Sequence, residues 1–130
     1  MYLSVMAKKP TRTALIKKLD KVFSEYVRRR NGEIAICVTC GKSAHWKEMQ
    51  AGHFMSRRHR ATRWHEDNVQ VQCVSCNMFG QGEQYKFGQW LGEEKANELI
   101  QLSNQIVKQS DYELKEMIDL YTNKLKELVS

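Results

Sequence analysis

The sequence predicts a small α+β protein: an irregular, metal-stapled middle flanked by α-helices at its N- and C-terminal ends. Three observations carry that expectation. Apolar residues recur at helical spacing over residues 12–30 and again beyond residue 93. Between the two helical regions lie only short strand-like pieces. All four Cys fall in that middle stretch, as two C-x-x-C pairs. The expected organisation is one domain over 1–130, with a basic N-terminal helix (12–31), a zinc-bearing core (33–82) and C-terminal helices (83–130).

The N-terminal helix is read from Leu15, Leu19, Val22 and Tyr26, with Ile16, Phe23 and Val27 beside them. Thr11 or Thr13 can cap its start, and Asn31-Gly32 stops it. Arg28, Arg29 and Arg30 occupy its last turn, where cations suit the helix dipole whatever else they do. A short apolar stretch follows, from Glu33 to Val38. Residues 83–91 suit a short helix carrying Tyr85, Phe87 and Trp90, ended by Gly92. Residues 93–109 read as one helix with Ala96, Leu99, Ile100 and Ile106 inward. Ser110-Asp-Tyr-Glu113 fits a capping box for a last helix. Its apolar stripe is Leu114, Met117, Ile118, Tyr121, Leu125 and Leu128, most simply core.

With 130 residues, 42% hydrophobic and 28% charged, the chain suits one small domain and is neither disordered nor collagenous. No apolar run approaches the roughly 18 residues of a membrane span, so no membrane partner is expected. The opening residues lack a secretion signal, so a cytoplasmic location is expected. Net charge is +6, unevenly spread. Residues 1–31 carry nine Lys/Arg against two acidic residues, whereas residues 93–130 carry eight acidic against five basic. A polyanion held at the basic end fits this asymmetry; solvated Lys faces fit it too.

Cys37/Cys40 and Cys73/Cys76 have the spacing of a zinc knuckle. Each C-x-x-C turn presents two sulfurs, and two turns complete a tetrahedron. Disulfides are the alternative, disfavoured without a secretion signal. A thioredoxin-like redox pair would need a βαβ unit, which the pattern lacks. Structural Zn²⁺ is therefore the expected cofactor.

Between the pairs lie Ala51-Gly-His53-Phe, Arg63-Trp and Glu66-Asp-Asn68-Val, and Asn77 abuts the second pair. A lone His in such a loop is ordinarily just a hydrogen-bonded histidine. Here the order Cys-x-x-Cys, Gly-His, Asn, Cys-x-x-Cys-Asn resembles the zinc-bearing HNH, or ββα-metal, nucleases. It is more specifically similar to the phage NinG/Rap recombination proteins, from about Leu19 to the C-terminus, with Gly82 and Tyr85 also matching.

That resemblance implies a ββα-metal core with a four-cysteine zinc knuckle and a metal-dependent endonuclease acting on branched DNA such as Holliday junctions. The expected products carry 5′-phosphate and 3′-hydroxyl ends. By the same resemblance His53 ends the first hairpin strand and is the general base. Asn68 ties the hairpin loop, and Asn77 holds the catalytic Mg²⁺ or Mn²⁺. Phosphodiester hydrolysis needs an activated water and compensation for growing charge, which a neutral imidazole and a divalent cation can supply. Arg57, Arg58, Arg60 and Arg63, with Lys17, Lys18, Lys21 and Arg28, Arg29 and Arg30, are the candidate DNA contacts. Ordinary salt bridges are the competing reading for Arg57 and Arg63. Many HNH sites carry a second metal ligand just before the base; this chain has Gly52 there. Gln50, Glu48, Glu66 and His65 are the candidates to replace it, whereas His45 and His59 read as surface or DNA-contacting residues. Cutting two strands of a junction calls for a homodimer. The rival readings are an HNH nicking or restriction-type nuclease of other substrate, and a zinc-stapled DNA-binding module without catalysis.

Overall fold

Thr11 opens the first helix in the computed structural model, which describes residues 9–129. Residues 1–8, with Lys8 and the opening stretch read as lacking a secretion signal, lie outside that range, as does Ser130. The Thr11 side chain accepts from the Ala14 amide at 3.1 Å, satisfying one of the free N–H groups of the first turn. Helix α1 (Arg12–Arg29) buries Leu15, Leu19, Phe23 and Val27, spaced three or four apart on one face. It ends two residues earlier than expected, and Gly32 turns the chain with φ +112°.

Two antiparallel strand pairs follow. Strand β1 (Ile34–Ile36) pairs with β2 (Ser43–His45), and β3 (Gln50–His53) pairs with β4 (Val69–Gln72). In the second pair Gln50 faces Gln72 and His53 faces Val69. A 3₁₀ turn, Trp46–Glu48, joins the pairs. After β4 comes a π-helical turn, Ser75–Phe79, and then α2 (Gln84–Leu91). Asn77 lies in that single π turn. Regular helix begins only past Gly80–Glu83, where Gln81, Gly82 and Glu83 all have positive φ.

Helices α3 (Glu93–Ser103) and α4 (Asp111–Leu128) complete the chain. The single helix expected over 93–109 therefore stops six residues early, and Ile106 is fully exposed rather than inward. The Asn104 and Gln105 amides close tight turns onto Gln101 and Leu102. The linker beyond is held extended by two side-chain bonds: Gln109 donates to the Arg60 carbonyl at 3.0 Å, and Arg12 donates to the Gln109 carbonyl. Ser110 and Glu113 form the reciprocal capping box that restarts the helix, at 2.9 and 3.0 Å.

The main core lies between α1, α4 and the β3–β4 pair. It joins Leu19, Phe23 and Val27 to Leu114, Ile118 and Tyr121, and to Val69 and Val71. Phe23 meets Tyr121 edge-on at 4.7 Å. A smaller cluster of Phe54, Phe87, Ala96 and Leu99 seats α2 and α3 beside the end of β3. No helix among the described residues is long and apolar enough to cross a membrane.

Candidate functional site

The four cysteine sulfurs lie within 4.8 Å of one another, with Cys40 Sγ and Cys73 Sγ 3.7 Å apart. A tetrahedral Zn²⁺ with bonds of about 2.3 Å needs sulfurs about 3.8 Å apart, so the cluster has the size the ion requires. Local backbone bonds shape both turns. The Gly41 amide donates to the Cys37 carbonyl at 2.9 Å, with Gly41 in the left-handed region (φ +82°). The Cys76 amide points at Cys73 Sγ, 3.5 Å away. All four thiols are free. Burial, with the neighbouring thiols adding to it, pushes Cys76 up to about 12. Cys37 moves the other way, to about 6: burial would raise it, but hydrogen bonds from Thr39 and from backbone amides outweigh that, and four thiolates held this close call for a cation. These donors fit a structural zinc.

His53 stands at the last position of β3, between two clefts. One lies against α1 and is lined by Lys17, Asp20, Lys21, Arg57 and Trp64. The other is lined by Met55, His59, Asn77 and Gln84. The His53 Nε2 atom is 3.0 Å from the Arg63 carbonyl oxygen. A carbonyl only accepts, so Nε2 carries the hydrogen and Nδ1 keeps its lone pair. Burial lowers the imidazole pKa to about 4, with Arg57 and Arg63 adding to the shift and the Arg63 carbonyl and Asp20 opposing it. The ring is therefore neutral over the physiological range.

Asn68 is fully buried. Its Nδ2 donates to the Met55 and Thr62 carbonyls, both at 3.0 Å, and its Oδ1 accepts from the Met55 amide at 2.8 Å. One side chain thus ties both ends of the 54–68 loop. Asn77, in the π turn, donates from Nδ2 to Gln50 Oε1 at 2.8 Å. Of the four candidates for the second ligand position, Gln50 alone is hydrogen-bonded to Asn77. Glu66 is drawn instead into the α1–α4 seam by Tyr121 (3.0 Å), Lys124 (3.1 Å) and Arg30. His65 Nδ1 accepts from the Asp67 amide within its own turn, and Glu48 sits exposed in the 3₁₀ turn.

Around His53 the cation donors are thus two amides, with no carboxylate gathered between them. Among the described residues, the cysteines are the one group of three or more His, Cys, Asp or Glu side chains close enough to share an ion. These side chains alone do not make a Mg²⁺ or Mn²⁺ site.

The candidate DNA-contacting residues divide. Lys17, Lys18 and Lys21 are exposed on α1, and Arg58 is exposed in the loop. Arg28 and Arg29 lie against the Trp46 ring, at 5.2 and 4.6 Å from its centroid. Arg60 lies 5.9 Å from the Trp64 ring centroid. Arg30 is turned inward and clamps α1 to the hairpin through the Val69 carbonyl (3.0 Å) and Gln70 Oε1 (2.8 Å). Arg63 forks onto Asp20, Nη2 at 2.6 Å and Nε at 3.1 Å, with its side chain 15% exposed. Arg57 makes a single bond to Asp20, at 2.8 Å, and is 58% exposed. Arg30 and Arg63 are thus engaged in holding the fold, whereas Arg57 stays largely exposed.

Asp20 was missed in the sequence. Burial would raise its pKa, but the Arg63 fork, Arg57 and Trp64 hold it below the ordinary carboxylate range. Its only sequence signal is that it interrupts a basic run, Lys17-Lys18-Leu19-Asp20-Lys21.

Comparison with curated proteins and with solved structures gives no match. The profile of the Bacteriophage Lambda NinG protein family matches residues 4–130, so the chain belongs to that phage, recombination-related family.

Proposed function

We propose that this protein is a metal-dependent endonuclease that cuts branched recombination intermediates such as Holliday junctions, with His53 taking the proton from the attacking water. The observation that carries this reading is the state of His53: a neutral imidazole on a cleft wall, Nε2–H held by the Arg63 carbonyl, Nδ1 without a hydrogen-bond partner among the described residues. The β3–β4 hairpin, the helical turn behind the second cysteine pair and the Asn68 tie support a ββα-metal arrangement. Family membership supports a recombination substrate.

A base of pKa about 4 in the free protein is weak at neutral pH. A phosphodiester entering the cleft brings negative charge that favours the imidazolium and raises that value toward the working range. Arg57, singly bonded and exposed, is the arginine free to leave Asp20 for a phosphate. Lys17 and Lys21 line the same cleft. Asn77 Oδ1 is the protein oxygen that would hold Mg²⁺ or Mn²⁺, with substrate phosphate oxygens completing the shell. A two-fold dimer would serve the two cuts of a junction.

The test is cleavage of a four-way junction, a flap and a linear duplex with Mg²⁺, Mn²⁺ or EDTA. The reading expects ion-dependent cutting of the junction, lost in His53→Ala while zinc and junction binding persist. Preferred cutting of duplex would instead indicate an HNH enzyme of the nicking or restriction type. The thin cation donor set around His53 favours one further rival, a zinc-stapled DNA-binding module. That rival expects binding without cleavage under every condition.

A further inference from the structure

The Asp20 carboxylate is saturated by four donors from one short segment of the hairpin loop. Oδ1 accepts from Trp64 Nε1 (2.9 Å) and Arg63 Nε (3.1 Å). Oδ2 accepts from Arg63 Nη2 (2.6 Å) and Arg57 Nη2 (2.8 Å). Arg63 Nη1 also donates to the Arg57 carbonyl at 3.1 Å, closing the loop on itself. The peptide so fixed is the one whose carbonyl receives His53 Nε2. A carboxylate on α1, outside the cysteine-bracketed stretch, thereby reaches the imidazole through a single residue.

We propose that Asp20 is a positioning residue for His53: by pinning Arg63 it fixes the carbonyl that selects the Nε2–H tautomer, leaving Nδ1 as the proton-accepting atom. The value of this tautomer rests on the reading of His53 as the base; the link from Asp20 to the ring does not.

A buried ion pair is weak by itself as a stabilising device, because desolvation offsets most of the attraction. Asp20 and Arg63 are 19% and 15% exposed, so stability alone is a poor reason for so many donors on one carboxylate. The arrangement makes more sense at the site. When His53 takes a proton it becomes a cation beside Arg57 and Arg63, and Asp20 is the negative charge that offsets them.

The experiment reads the His53 ring nitrogens by ¹⁵N NMR on the zinc-loaded full chain at neutral pH. Wild type should show one protonated and one unprotonated nitrogen, with Nε2 protonated. Asp20→Asn keeps the volume and an oxygen for Trp64 but loses the charge that grips both arginines. It should average the two nitrogens toward a tautomer mixture. Asp111→Asn, which removes the surface ion pair between Arg12 at the start of α1 and Asp111 at the start of α4, should leave the ring signals unchanged. If Asp20→Asn does not fold, Arg63→Lys, which keeps a charge but loses the fork, reads the same link. In an active enzyme, Asp20→Asn should lower kcat roughly ten- to a hundred-fold without weakening junction binding. Unchanged His53 signals in folded Asp20→Asn overturn the proposal, whatever the activity. A tautomer shift in a protein that never cuts DNA upholds the positioning link and sinks the nuclease reading.

Discussion

The Gln72 side chain fills the space in which Gly52 would carry a Cβ: a Cβ built on Gly52 falls 1.8 Å from Gln72 Oε1. Gln72 is fully buried and anchored by bonds from Nε2 to the Gly82 carbonyl (2.8 Å) and Thr39 Oγ1 (3.2 Å). Glycine at position 52, directly before His53, thus has a packing cause. Gly52→Ala should destabilise the protein by about 1–3 kcal/mol through overpacking. Adding Gln72→Ala should recover part of the loss, since the blocking side chain goes. Denaturant unfolding of the two single variants and the double variant checks this; strict additivity would argue against the contact.

Zinc should be present at one equivalent and required for folding. Apparent binding energies of structural zinc are on the order of 10 kcal/mol at neutral pH, comparable to the whole stability of a small domain. Cys37→Ser or Cys73→Ser should give unfolded or molten protein. Metal analysis of well-folded protein below half an equivalent would end this claim.

The depressed pKa of His53 makes stability depend on pH in a defined direction. The unfolded chain binds this proton near pH 6.5, the folded chain only near 4. Stability is therefore full above about 6.5 and falls as pH drops toward 4, by at most about 1.4 kcal/mol per unit. His53→Gln should flatten that limb, and comparing its melting curves with wild type separates His53 from the cysteines. For cleavage, kcat/KM should stay flat through neutral pH, while kcat, which reports the substrate complex, should decline as pH drops, beginning at a higher pH than kcat/KM does.

Asn68→Ala removes three hydrogen bonds and takes this partner from the Met55 amide and carbonyl, while the Thr62 carbonyl keeps the His65 amide. The expected cost is about 2–4 kcal/mol. Asn68→Asp should be no milder, because it keeps the acceptor, loses both donors and buries a charge. Thermal melts of the zinc-loaded variants decide it.

Lys17→Gln and Lys21→Gln should weaken DNA binding and lower its salt slope by roughly one unit per lost phosphate contact. Arg30→Gln should instead lower the melting temperature, because its guanidinium clamps α1 to the hairpin. Titrations over a range of salt distinguish the two classes; an unchanged slope in the Lys variants would place the DNA elsewhere.

The sequence alone determined the cysteine cluster, because C-x-x-C is a local turn and two such turns close on one ion wherever the chain between them goes. It also determined the helix start at Ser110, since capping is settled within four residues, and narrowed that of α1 to Thr11 or Thr13. The family, too, was legible in the spacing of Gly-His53, Asn68 and Asn77 around the cysteines. The end of α3 was not, because Arg12 and Arg60 hold the linker from distant parts of the chain. Nor was the division of the arginines. In sequence, Arg57 and Arg63 are equivalent cations in one loop. Only the packing of α1 against β3 brings Asp20 to them, buries one and leaves the other exposed. The neutral state of His53 has the same origin: burial under α1 and the loop, not anything adjacent in the chain, takes its proton away.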